Sequence, residues 1–117
     1  MSIIQLDRSQ KKYPIETAIG IISGKWKVMI LIHLMKQMCR FNELRRMLPN
    51  ISQRMLTNQL RELEADGLVH REIYAEVPPR VEYSLTKHGY AVRSVLLELK
   101  RFGKNVQMDN TENNIAS

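Results

Sequence analysis

Leu56, Leu60 and Leu63 fall within one narrow arc of a helix turning about 100° per residue, while Arg54, Thr57, Asn58 and Arg61 gather on the opposite side. Ser52, just ahead, is a suitable N-cap because its hydroxyl accepts from an otherwise unpaired first-turn amide. Gly67, just behind, tolerates the left-handed backbone that ends many helices. The pattern predicts a helix from Ser52 to Asp66, apolar on one side and carrying guanidinium, amide and hydroxyl groups on the other. Earlier in the chain, Pro14 suits the first turn of a helix, and Ile15, Ala18, Ile19 and Ile22 share one of its faces. The stretch KWKVMILIHLMKQ is too apolar all round to face solvent, so a buried second helix is expected. RFNELRRMLP predicts a short third helix, capped by Asn42 and stopped before Pro49. It turns Phe41, Leu44 and Leu48 inward and Arg45 and Arg46 outward.

After Gly67 the period changes from helical to alternating. Val69, Arg71 and Ile73, then Val81, Tyr83 and Leu85, flank the turn formers Pro78 and Pro79 and predict a hairpin. Thr86 can cap a last helix from Lys87 to about Lys104, along which Val92, Val95, Leu96, Leu99 and Phe102 form a continuous stripe. Residues 105–117 lack that stripe and are read as a disordered tail, and residues 1–12 as a flexible arm; residues 13–104 form the domain. Helices, a hairpin and a further helix in this order describe a winged helix-turn-helix. That fold is mainly α with a small β-hairpin, and its third and fourth helices make the turn motif.

A chain of 117 residues, 44% hydrophobic and 26% charged, is long enough for one compact domain and short for two. The longest apolar run, Val28 to Met35, falls far short of the roughly 20 residues a membrane span needs, so no membrane partner is expected. The first residues lack the layout of a secretory leader, which predicts a cytoplasmic protein. A single cysteine excludes an internal disulfide and a four-cysteine zinc site. The net charge of +6 favours polyanionic partners, and its distribution is more telling. Residues 23–61 hold eight bases (Lys25, Lys27, Lys36, Arg40, Arg45, Arg46, Arg54 and Arg61) against the single acid Glu43.

These stretches also resemble a known family, the HxlR-type transcriptional regulators, related in fold to the MarR group. The resemblance rests on ISGKWKVMILIHL, RFNELRRMLPNISQRMLTNQLRELEADGLVHR, VPPRVEYSLTKHG and the stripe ending in LKRFG, which together cover most of residues 14–103. It implies a small, cytosolic, dimeric DNA-binding protein. Many members carry a cysteine immediately before the proline that opens the first helix, and some use it to sense oxidants or electrophiles. Here that position is Tyr13, so the family's thiol switch does not transfer.

Double-stranded DNA is the partner this pattern predicts. Arg54 and Arg61 are expected to reach guanine or phosphate, and Gln53, Thr57 and Asn58 base edges or a thymine methyl. Ser52 and the amides behind it favour a phosphate. Arg80, after the two prolines, is placed at the wing tip facing a minor groove. Lys25, Arg40 and Arg46 are expected to be phosphate anchors. Ile15, Ile19 and Ile22 with Val95, Leu96, Leu99 and Phe102 are expected to form a homodimer interface. The function predicted is that of a sequence-specific transcriptional regulator, a repressor, on a pseudo-palindromic operator. It would answer to a small-molecule effector of unknown identity or, through Cys39, to oxidation. No cofactor, metal or catalytic residue is expected, because His33, His70, His88 and Cys39 lack the paired spacing of metal motifs. The competing readings are a winged helix used only for protein contacts and a metal-sensing regulator.

Overall fold

The computed structural model describes residues 13–116, with side chains to residue 111. The arm expected over residues 1–12 lies outside the described residues. The described chain opens with three helices: α1 (Pro14–Ile22), α2 (Lys25–Lys36) and, after the two-residue strand β1 (Cys39–Arg40), α3 (Phe41–Met47), the first helix of the turn motif. They are followed by α4 (Gln53–Ala65), a hairpin of β2 (Val69–Tyr74) and β3 (Arg80–Leu85), and α5 (Lys87–Ala116). The sheet is antiparallel in the order β1-β3-β2, with Cys39 opposite Tyr83 and Glu72 opposite Glu82. The result is a mainly α winged helix-turn-helix, as the periodicity predicts.

The core forms where three amphipathic faces meet. Ile30, Leu31 and Leu34 of α2, Leu44 of α3 and Leu56, Leu60 and Leu63 of α4 are all buried, joined by Leu48, Ile51, Leu68, Val69 and Leu85. At about 25 cal/mol per Å² of apolar surface, these aliphatic side chains supply most of the drive for folding. α2 is not buried all round as expected. Met29 and Lys36 are exposed and Ile32 and His33 only half-buried, because α2 turns one face to the core and leaves the other on the surface.

Local signals set the joints. Ser52 caps α4, its hydroxyl accepting from the Met55 amide at 3.0 Å. Gly67 has φ +78°, the left-handed backbone anticipated there. Asn42 does not cap α3. It lies inside the first turn, while the Glu43 carboxylate accepts the Arg40 amide at 2.8 Å and starts the helix two residues earlier. Thr86 caps α5 as expected, accepting from the Gly89 amide at 3.1 Å and donating to the Gly67 carbonyl. Gly89 itself rests against the Leu68 carbonyl so closely that a Cβ would collide with backbone.

α5 does not stop near Lys104 with a disordered tail behind it. It runs 30 residues to Ala116. No Pro or Gly follows Gly103 to break it, and Thr111 returns its hydroxyl to the Gln107 carbonyl at 2.9 Å. At 1.5 Å per residue such a helix is roughly 45 Å long and outreaches the domain. The Cα radius of gyration is accordingly 17.7 Å, against about 13 Å for a compact chain of this size.

Candidate nucleic-acid interface

α4 presents the polar face that the spacing predicts. With Leu56, Leu60 and Leu63 in the core, Ser52, Gln53, Arg54, Asn58 and Arg61 are exposed, and Thr57 is half-buried on the flank. The acids on the same helix do not neutralise this face. Glu62 pairs with Lys27 of α2 at 2.7 Å, and Glu64 with Arg71 of β2 at 3.0 Å. Among the described residues, Arg54 and Arg61 form no ion pair, so both guanidinium groups are available to an outside anion. Lys27, one of the eight bases counted between residues 23 and 61, is buried and serves the fold instead. The two ion pairs also tie α4 to α2 on one side and to the wing on the other.

The proposed anchors lie on three separate elements. Lys25 is exposed at the start of α2, its ammonium 4.7 Å from the centre of the Trp26 ring. Arg40, at the end of β1, and Arg46, on α3, are both exposed and border a cleft of about 900 Å³. Glu76, Val77, Pro78 and Pro79 of the wing form the far wall of that cleft.

Arg80 differs from the other nine proposed DNA contacts. It opens β3 rather than occupying the wing tip. Its guanidinium lies 3.3 Å from Glu76 and 3.5 Å from Glu82 and stacks over the Tyr74 ring at 4.1 Å. The tip is instead apolar, with Val77, Pro78 and Pro79 exposed. Sequence reading missed this clasp because Tyr74, Glu76 and Glu82 meet Arg80 only once the hairpin closes. It also passed over Met55, an exposed apolar side chain on the first turn of α4; the lack of a leucine partner at its helical position was the available signal.

The residues proposed for a dimer divide in two. Ile15, Ile19, Val95, Leu99 and Phe102 are exposed, Phe102 at 68%. Ile22 is half-buried against the core, and Leu96, at 8%, belongs to the core of this chain itself. Val106 continues the exposed stripe one turn beyond Phe102. Ala18, Ile21, Ile22, Leu68, Val92 and Val95 line a groove of about 330 Å³ where α1 passes α5, with Asp66 and His88 at its edge. Cys39 is buried in β1, its thiol directed to the Gln37 carbonyl at 3.4 Å. Burial, and then the nearby Glu43 carboxylate, push that thiol above its ordinary range, which disfavours the reactive thiolate. The three histidines sit on separate elements: His33 is half-buried in α2, His70 is 2.7 Å from Glu72 on β2, and His88 lies near the start of α5.

Known proteins share this arrangement. The model of the HxlR-like helix-turn-helix family matches residues 21–111. An uncharacterized HTH-type transcriptional regulator of Bacillus subtilis, YdeP, is 55% identical over 91 residues, spanning 78% of this chain and 71% of the relative. The solved structure of the redox regulator HypR in its reduced form superposes with a TM-score of 0.76 at 51% identity, covering 80% of this chain and 93% of that one. A proposed MarR-family regulator from Enterococcus faecalis V583 gives 0.78 at 43% identity, covering 90% and 96%.

Proposed function

The chain belongs to the HxlR-like helix-turn-helix family of transcriptional regulators, and from that premise we propose that it is a homodimeric repressor reading a pseudo-palindromic operator with α4. The observation that carries the reading is the unopposed face of α4: Arg54, Asn58 and Arg61 are exposed while Glu62 and Glu64 are engaged elsewhere. A bidentate guanidinium matches guanine O6 and N7, a carboxamide matches adenine N6 and N7, and Gln53 and Thr57 extend the same edge. Ser52 and the first amides of α4 take a phosphate, with Lys25, Arg40 and Arg46 anchoring the flanking backbone.

Pairing of two copies is supported by the exposed stripe Val95, Leu99, Phe102 and Val106 on a helix that outreaches its domain, and by an α1 in which no residue is buried. Two copies place two α4 helices on successive major grooves about 34 Å apart. An effector that binds two subunit arrangements unequally then controls operator affinity, and the groove between α1 and α5 is its most suitable seat. Repression follows from occupying a promoter in competition with polymerase.

Selection of binding sites from random duplexes by the purified full chain tests this reading. A two-fold symmetric site is expected, with affinity falling with salt at a log-log slope of about −0.9 for each phosphate neutralised. A flat salt response or the absence of any selected sequence refutes it. Light scattering at micromolar concentration should give twice the chain mass, and a monomer refutes the dimer.

A further inference from the structure

α4 carries one large apolar side chain on its outer surface among the described residues, Met55, 40% exposed in the first turn. A single apolar residue on a protein surface needs no special explanation. Three features set this one apart. The first turn is where a recognition helix meets base edges, so its side chains have the shortest reach into the groove. The thioether does not hang free, because the Gln59 amide donates to Met55 Sδ at 3.6 Å and holds it against the helix. Its neighbour three residues on is Asn58, exposed and about 60° around the helix, close enough for the two side chains to address the same base step.

We propose that Met55 is a specificity-determining residue that reads the 5-methyl group of a thymine beside or within the base pair contacted by Asn58. This rests on α4 reading DNA as described above, and it assigns one position of the operator. Only thymine among the four DNA bases presents a methyl group in the major groove, so an apolar side chain there distinguishes T from C without a hydrogen bond. A carboxamide three residues away selects adenine in the same region. Together the two residues favour A·T pairs at the centre of each half-site, while Arg54 and Arg61 favour guanine or the backbone. Gln59 acts as a positioning residue: by holding the thioether in the free protein it lowers the ordering cost on binding.

The test removes the methyl group and nothing else. In the operator obtained by selection, each thymine is replaced in turn by deoxyuridine, which keeps every hydrogen-bonding atom. The wild-type chain is expected to lose about fourfold in affinity at one thymine per half-site, the worth of burying one methyl group, and to be insensitive elsewhere. Met55→Ala is expected to bind the thymine operator as weakly as the wild type binds the deoxyuridine one, and to show no further loss when the two changes are combined. Its melting temperature should stay that of the wild type, because the side chain is outside the core. A wild type indifferent to every replacement, or a Met55→Ala chain that still loses fourfold at the same thymine, overturns the assignment. If the wild type selects no sequence at all, the failure lies with the DNA-reading function and not with Met55.

Discussion

α4 and the wing both carry arginines, and the two regions treat them in opposite ways. On α4 the carboxylates of Glu62 and Glu64 are drawn off to Lys27 and Arg71, leaving Arg54 and Arg61 unpaired among the described residues. On the wing Glu76, Glu82 and Tyr74 close on Arg80 and leave an apolar tip. The number of arginines is therefore a poor guide to where a protein meets a polyanion. What counts is which cations remain after the fold has satisfied its own acids. Among the described residues six acids pair with bases, and their placement leaves the free positive charge on the helix-turn-helix rather than on the hairpin.

The largest expected effect breaks the comparison on the α4 side. Replacing Arg54 and Arg61 together by Ala should lower operator affinity by about a hundredfold or more, since each bidentate base contact is worth roughly 1–3 kcal/mol. The melting temperature should not change, and a mobility-shift assay reads the loss. Next, Glu76→Gln with Glu82→Gln should free Arg80. Affinity is then expected to rise about fivefold, with the salt slope steeper by about one per subunit, measured by fluorescence anisotropy across a potassium chloride series. Smaller still, Arg80→Ala should change operator affinity less than about twofold while destabilising the fold by at most about 1 kcal/mol, because its ion pairs are partly exposed. A loss in that variant as large as the one from α4 would restore the arginine to the groove and erase the distinction.

The smallest effect concerns the root of the wing, where Cys39 and Tyr83 face each other across β1 and β3. Burial raises both groups above their ordinary ranges; Glu43 adds to the shift at Cys39, while at Tyr83 Arg71 and Arg61 offset part of it and Glu64 adds to it. In both groups the neutral form is the protonated one, so the folded chain holds its proton to higher pH than the unfolded chain. The resulting stability is complete below the ordinary thiol range and is lost as pH rises through the folded values. Urea melts at successive pH values should show stability level near neutrality and falling above about pH 8.5. A constant value through the alkaline range would contradict the burial of this pair.

α4 was legible because everything that defines it is local: a leucine every three or four residues, a serine at one end and a glycine at the other. The hairpin was legible from its alternation and its two prolines. β1 was not, since two residues contain no period and their pairing depends on β3 arriving from forty residues away. Leu96 and Leu99 look equivalent along the stripe, yet one enters the core of its own chain and the other does not, a distinction made only when α5 packs. The charge of Arg80 was legible and its clasp was not. Ion pairs between strands depend on register, which local sequence leaves open until the turn is fixed.

The contact of Gly89 with the Leu68 carbonyl joins the start of the long terminal helix to the base of the hairpin with no space for a side chain. Such a joint has no slack. A lever roughly 45 Å long held at this joint cannot swing without carrying the strand root with it. A rearrangement transmitted along α5 would therefore reach the root of the hairpin and, through the packing of α5 on α2, the helix-turn-helix as well.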